Sequence, residues 1–135
     1  MHSLRATLTF MLFAGITTAC NAEATPVEVD AAVSRMSSAT FKVEILAACG
    51  FSQSTKEKDA AINVAKIMAL QKDELSKKLS NDQFVAATLR TMDKALVESM
   101  QARAKSEATT EECAKADNKA LWEYLIGLAK SMNQL

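Results

Sequence analysis

Histidine is almost missing from this chain, and several signatures of catalysis are missing with it. The one histidine, His2, lies near the N-terminus, so the rest of the chain has none. Ser-His and Cys-His nucleophiles are therefore excluded from the body of the chain, and so are the common zinc sites, which need four suitably spaced ligands. The sequence also has no glycine-rich phosphate loop and no dinucleotide fingerprint. We therefore expect a protein that is not an enzyme and has no cofactor or metal.

An excess of charge of either sign is also lacking. The chain has 16 basic and 16 acidic residues, and its formal net charge is zero. Nucleic-acid binding requires a basic face, and a helix that lies on a membrane surface is rich in Lys and Arg. The charge balance argues against both kinds of partner.

Glycine, proline and aromatic residues are scarce. After Thr25 the only glycines and prolines are Pro26, Gly50 and Gly127, and aromatic residues make up 5% of the chain. Ala, Leu, Lys, Glu and Met are plentiful, and these residues favour helices over sheets. We expect an all-α bundle of four helices, or five if the segment after Leu70 forms its own helix.

The N-terminus has the pattern of an export signal. Arg5 precedes an apolar run, Leu8 to Ile16, and Ala22-Glu23-Ala24 supplies the small residues of a cleavage site. The run is too short for a membrane span, which needs about 20 residues. We therefore predict a signal peptide over residues 1–24, a single domain over residues 25–135, and a periplasmic location.

Cys20 permits a second interpretation of the same region. It follows Thr17-Thr18-Ala19, which loosely resembles a lipoprotein cleavage site, although the aliphatic residue of that pattern, Ile16, is one position too early. The protein is then either a lipoprotein anchored through Cys20 or a chain that loses Cys20 with its signal.

Two cysteines remain after the predicted cleavage, Cys49 and Cys113. In an exported protein two cysteines are expected to pair, and closing a loop of about 65 residues stabilises the fold by roughly 4 kcal/mol. A reactive thiol is the alternative, and it would need an activating environment. We predict a structural disulfide between the two.

Helical spacing and capping signals divide the body of the chain. The first helix is expected to begin between Asp30 and Ser37, after an extended lead-in at Pro26, and to end near Cys49. Gly50 fits the position that follows a helix C-terminus.

The second helix should begin at a capping box formed by Ser54 and Glu57. A break and a helix cap at Ser80-Asn81-Asp82 should precede a third helix, which is expected over Gln83–Ala104. Its predicted inner stripe consists of Val85, Leu89, Met92, Leu96 and Met100. The second helix should turn four polar residues to solvent: Lys56, Asp59, Asn63 and Lys66.

The last helix carries the only tryptophan and the only tyrosine. We expect its inner stripe to begin at Cys113 and to include Tyr124. Trp122 then points about 160° away, because consecutive helical residues are 100° apart. An outward Trp122 suggests a contact site, and packing on a neighbouring helix is the alternative.

A resemblance to a known family gives a more specific expectation. Cys49 in an apolar first helix, the segment Lys56–Ile62 (KEKDAAI) and Cys113 near the start of the last helix resemble the periplasmic immunity proteins that neutralise type VI secreted peptidoglycan amidases. The resemblance implies a non-enzymatic inhibitor, a homodimer that presents a loop to the catalytic groove of a secreted cell-wall hydrolase.

The resemblance leaves the contacting loop open. Our first choice is the polar segment Lys105–Glu112, and the connection Leu70–Asp82 is the second; a solvated interhelix loop is the alternative for the first. The predicted partner-binding residues are Ser106, Glu107, Thr109, Thr110, Glu111 and Trp122.

A different functional class also fits a small exported helical protein with one disulfide. A periplasmic stress chaperone, or holdase, would expose its apolar stripes in acid.

A Ser-Lys enzyme built on Ser76-Lys77 or on Ser54 and Lys56 is formally open, but Ser54 is better explained as a helix cap and the lysines as solvated residues.

Overall fold

The computed structural model describes residues 23–72 and 74–135 as helices joined by short connections. No β-strand occurs among these residues, so the predicted all-α class is confirmed. The described residues form five helices and two single turns. In chain order they are α1 Pro26–Ala48, α2 Thr55–Lys72, α3 Leu75–Lys78, α4 Asn81–Thr91, α5 Lys94–Glu107, α6 Thr110–Cys113 and α7 Ala116–Ser131.

The predictions that concern the N-terminus lie almost wholly outside the described residues. Residues 1–22 hold Cys20 and nearly all of the predicted signal peptide. Within residues 23–72 and 74–135, no helix combines the length and the apolar character that a membrane crossing requires.

The first helix begins earlier than the sequence suggested. Thr25 Oγ1 accepts a hydrogen bond from the Glu28 backbone N–H at 3.2 Å, and the Glu28 carboxylate accepts one from the Thr25 backbone N–H at 2.9 Å. This reciprocal capping box precedes Pro26, which suits the first position of a helix because its missing N–H would have no partner there. The predicted extended lead-in is therefore wrong.

Gly50 ends α1 as predicted. Its φ of 90° lies in the left-handed region, where a side chain would be strained. The Gly50 N–H donates to the Ala47 carbonyl at 2.9 Å and the Phe51 N–H to the Leu46 carbonyl at 3.3 Å. This is the Schellman arrangement, which satisfies the last carbonyls of the helix and reverses the chain toward α2.

The connection between α2 and α4 is a separate turn. After α2 ends at Lys72, Glu74 takes a left-handed φ of 59° and α3 makes a single turn. Ser80 then caps α4, because its hydroxyl accepts from the Gln83 backbone N–H at 3.1 Å while the Gln83 side chain accepts from the Ser80 N–H at 3.1 Å. The helix cap predicted at this point is confirmed.

The predicted third helix is broken in two. Residue Met92 ends α4, and Asp93 begins α5 by accepting a hydrogen bond from the Leu96 N–H at 3.2 Å. When the aspartate side chain binds a backbone N–H as a cap, the chain starts a new helix there instead of continuing the old one. The helix predicted over Gln83–Ala104 is therefore wrong as one element, and its apolar stripe changes direction at the break.

The buried side chains form two clusters on opposite parts of α1. The larger joins α1, α2 and α7 through Val43, Leu46, Ala60, Ala61, Val64, Trp122, Leu125 and Ala129. The smaller joins α1 with α2, α3 and α4 through Ala32, Met36, Leu70, Leu75 and Ala87. The small alanines of α2 let the helices approach closely. Because both clusters contain residues of α1, this helix is the common support of the bundle.

The predicted disulfide is confirmed. Cys49, the C-cap of α1, is bonded to Cys113 at the end of α6, and their Cα atoms are 5.4 Å apart. The bond joins residues 64 positions apart and ties the end of the first helix to the turn before the last one.

The last helix has a different phase from the one that the sequence predicted. Trp122 is 6% exposed and belongs to the larger core cluster, whereas Tyr124 is 54% exposed. The predicted stripe was carried from Cys113 into α7, but the chain leaves the helix at Ala114 and Lys115 and restarts at Ala116. The restart rotates the buried side of α7 onto Asn118 and Trp122 and turns Tyr124 to solvent.

Candidate functional site

The predicted partner-binding segment is a tight corner between α5 and α6. Helix α5 continues to Glu107, and only Ala108 and Thr109 separate it from α6. Thr109 accepts a hydrogen bond from the Glu112 backbone N–H at 3.2 Å, which starts the short α6. The long polar loop predicted here is therefore wrong. The five predicted residues of this corner are nevertheless all exposed: Ser106, Glu107, Thr109, Thr110 and Glu111.

A network of charged and polar side chains connects this corner to α1 and α7. The Glu112 carboxylate contacts Lys115 Nζ at 2.7 Å and Lys42 Nζ at 3.6 Å, and it accepts a hydrogen bond from Asn118 Nδ2 at 3.2 Å. Lys42 Nζ also donates to Asn118 Oδ1 at 2.7 Å. Through these contacts α1, α6 and α7 share one set of polar groups beside the disulfide.

The same network holds Glu112 ionised. Hydrogen bonds from Lys115 and then Asn118 lower the pKa of Glu112 to about 2, with a smaller contribution from the charge of Lys42. The Glu112 carboxylate in turn raises the pKa of Lys115. Sequence analysis did not single out Lys42 or Asn118, because no local pattern indicates that residues 76 positions apart meet.

A second exposed surface is the apolar side of α4. Phe84, Val85, Leu89 and Met92 are 37%, 55%, 63% and 60% exposed. We call these four residues the α4 stripe. Three of them were predicted as core, and that prediction is wrong because α4 buries Ala87 and Thr91 instead. Large apolar side chains gathered on one exposed helix face usually mark a surface that another molecule covers.

Trp122 does not belong to any exposed surface. It packs in the core between α1, α2 and α7, so the outward orientation predicted for it is wrong. The alternative interpretation, packing on a neighbouring helix, describes its position.

The remaining predicted candidates are exposed residues and a helix cap. Ser76 and Lys77 are exposed on the single turn α3, and Lys77 contacts Glu74 at 3.8 Å. Ser54 Oγ accepts from the Glu57 N–H at 3.1 Å, so it is a helix cap as expected. The predicted capping box is incomplete, because the Glu57 carboxylate accepts from the Gln53 N–H at 3.4 Å and not from the Ser54 N–H. The described residues contain no group of three or more His, Cys, Asp or Glu side chains that could hold a metal ion.

A groove of about 650 Å³ is the third notable feature, and sequence analysis missed it. It lies between α1, α2 and α5, with the end of α4 at one side. Lys66 lines this groove although it was predicted to face solvent, and only 5% of it is exposed. Burial lowers the pKa of Lys66 because the loss of surrounding water disfavours its charged form.

The other charges of the groove are largely matched. The buried Glu44 pairs with Lys58 at 3.0 Å, and Lys94 contacts Glu98 at 3.8 Å on the exposed rim. Lys66 has neither a hydrogen bond nor an ion pair with any residue of the described ranges 23–72 and 74–135.

Comparisons with known proteins add no relative to this description. No protein-family model matches the chain, and no significant match was found among curated proteins or solved structures.

Proposed function

We propose that this protein is an exported, non-enzymatic binding protein that inhibits a secreted cell-wall amidase, as an immunity protein does. The proposal starts from the likeness of the Cys49, Lys56–Ile62 and Cys113 segments to that family. Its structural support is the exposed corner between α5 and α6, residues 106–111, which we take as the surface that contacts the hydrolase.

The observation that carries the proposal is the double bracing of this corner. The disulfide bonds Cys113, the last residue of α6, to Cys49, and the Glu112 carboxylate contacts Lys42, Lys115 and Asn118. A contact surface that is already ordered loses less conformational entropy on binding, so more of the interaction energy appears as affinity. Exposed hydroxyl and carboxylate groups on such a corner suit a polar catalytic groove.

The α4 stripe has a separate role in this proposal. Helix α5 separates it from the corner by 14 residues, or about 20 Å along the helix axis. A groove that accepts the corner would therefore not cover the stripe as well. We propose that a second copy of the chain covers it, which gives the homodimer that the resemblance implies.

The direct test is inhibition of a purified type VI secreted amidase by the purified, disulfide-bonded protein. We expect release of peptidoglycan fragments to stop at micromolar inhibitor. Glu111→Lys should weaken inhibition on the order of 10-fold, because it inverts a charge on the contacting corner. Glu123→Lys on the exposed part of α7 is the matched control and should inhibit like the unchanged protein.

If an amidase encoded beside this protein keeps its full activity in the presence of the protein, the proposal is contradicted. Equal inhibition by the Glu111→Lys and unchanged proteins would keep the function but remove the corner as its site.

The holdase remains a second candidate because of one observation, the exposure of the α4 stripe, which could hold an unfolded client. This function predicts that the protein prevents the aggregation of heated citrate synthase and that Leu89→Glu abolishes the effect. Tyr124→Glu, at an exposed aromatic of α7, is the control.

A further inference from the structure

The groove around Lys66 has the size of a small-molecule site. Its volume of about 650 Å³ lies within the range of roughly 300–1,000 Å³ that is usual for ligand pockets. Three helices, α1, α2 and α5, supply its walls, so its shape is set by the packing of the bundle and not by a loop.

Lys66 is the unusual member of this groove. A buried ammonium group is costly unless a counter-charge or several hydrogen bonds compensate it. Lys58 and Lys94 each contact a carboxylate, whereas no described residue supplies a partner to Lys66. The Lys66 side chain is buried, but its Nζ is not sealed from solvent, so the groove presents one ammonium group that no described residue pairs with.

Apolar side chains stand beside this charge. Ile62 lies one helical turn before Lys66 on α2, so the two residues share a face and are about 6 Å apart along the axis. Met92 and Val97 line the groove from the junction of α4 and α5. Gln101 on α5 also lines it and brings an amide that can donate a hydrogen bond.

We propose that this groove binds a small carboxylate, whose negative charge pairs with Lys66 and whose apolar part lies against Ile62, Met92 and Val97. The carboxylates of Asp59 and Glu98 also line the groove, and their repulsion disfavours ligands with two or more negative charges, such as phosphate esters. This inference does not depend on the proposed inhibitor contact, since none of residues 106–111 lines the groove, although Met92 belongs both to the groove and to the α4 stripe.

The experiment is an NMR titration of the isotopically labelled, disulfide-bonded protein with hexanoate. We expect saturable shifts of the Ile62, Thr91 and Val97 amides with a dissociation constant on the order of 1 mM, as suits a ligand of this size. Hexanamide has the same apolar tail without the charge, and its binding should be at least 10-fold weaker.

Three variants test the role of the ammonium group. Lys66→Met retains an unbranched apolar side chain and should bind hexanoate at least 10-fold more weakly, whereas Lys66→Arg should retain binding within a few-fold. Lys72→Met removes an exposed lysine of the same helix outside the groove and should change nothing. Because Lys66→Met also relieves a buried charge, we expect it to fold.

The source of the carboxylate is tested in a second arm with N-acetyl-alanyl-leucine. Tighter binding of this peptide than of hexanoate would indicate the C-terminus of a peptide as the ligand, and the reverse would indicate a small organic acid. The inference is overturned if hexanoate gives no saturable shift up to about 50 mM, far above the expected dissociation constant. It is equally overturned if hexanamide or Lys66→Met binds as tightly as the unchanged pair.

Discussion

Cys49 at the end of α1 and Cys113 at the end of α6 are covalently joined across 64 positions of sequence. The bond connects the helix that supports both core clusters to the corner that we propose as the contact surface. Stability and binding should therefore depend on this one bond in different ways, which separate experiments can measure.

The first prediction concerns stability. The Cys49→Ala, Cys113→Ala double variant should lose about 4 kcal/mol of unfolding free energy, because the unfolded chain gains the entropy of an open 64-residue loop. Denaturant unfolding of the oxidised protein and the double variant measures the loss. A loss below about 1 kcal/mol would show that the bond does not restrict the unfolded chain as the entropy model requires.

The second prediction concerns acid. The folded-state pKa of Glu112 is about 2, below its ordinary value of 4.5, so its contribution to stability is complete above about pH 4.5 and is lost as the pH falls through 2. Glu112→Gln should be less stable than the unchanged protein at pH 6, and the difference should shrink between pH 4.5 and 2.

Urea unfolding midpoints across this pH range provide the measurement, with Glu123→Gln as an exposed carboxylate control. A difference that stays constant down to pH 2 would mean that the Glu112 network does not titrate as its contacts imply.

The third prediction uses the two aromatic residues of α7. Trp122→Ala should cost about 3–5 kcal/mol, because it opens a cavity between α1, α2 and α7. Tyr124→Ala should stay within about 0.5 kcal/mol, because that ring is exposed. Thermal or denaturant unfolding compares them, and equal losses would contradict the register of α7.

The fourth prediction concerns Lys66. Because burial lowers its pKa, the charged form destabilises the folded state, and Lys66→Met should raise the free energy of unfolding at pH 7. The advantage should vanish as the pH rises past 10.5, where the lysine is neutral in both states. Lys72→Met is again the control, and an unchanged stability of Lys66→Met would indicate that its ammonium is fully hydrated in the groove.

The fifth prediction concerns the α4 stripe. Sedimentation of the unchanged protein should reveal a dimer, and Leu89→Glu should give a monomer of unchanged stability, because the side chain is exposed in the single chain. Tyr124→Glu should remain a dimer. A monomer in the unchanged protein at all accessible concentrations would remove the second copy from the account.

Local chemistry made much of the fold predictable. Gly50 as a helix terminator, Ser54 and Ser80 as caps, and the pairing of Cys49 with Cys113 follow from the residues themselves, and each is confirmed. These features depend on a few neighbouring residues or, for the disulfide, on the scarcity of alternatives.

The features that sequence did not reveal depend on where helices break and meet. Asp93 starts a new helix at a point where the apolar spacing of the sequence continues, and the restart at Ala116 shifts the phase of α7. Periodicity extended across either break therefore predicts the wrong buried face. Lys66 follows the regular spacing of the polar residues on the outer face of α2, but it lines a groove together with residues of α5 and the end of α4. The groove exists only because of that long-range packing.

The most direct test of the central claim compares the affinity of the amidase for the oxidised protein and for the Cys49→Ala, Cys113→Ala variant under conditions where both are folded. If the disulfide pre-orders the corner, the variant should bind at least 10-fold more weakly at unchanged stoichiometry. Equal affinity of the two folded proteins would contradict the account.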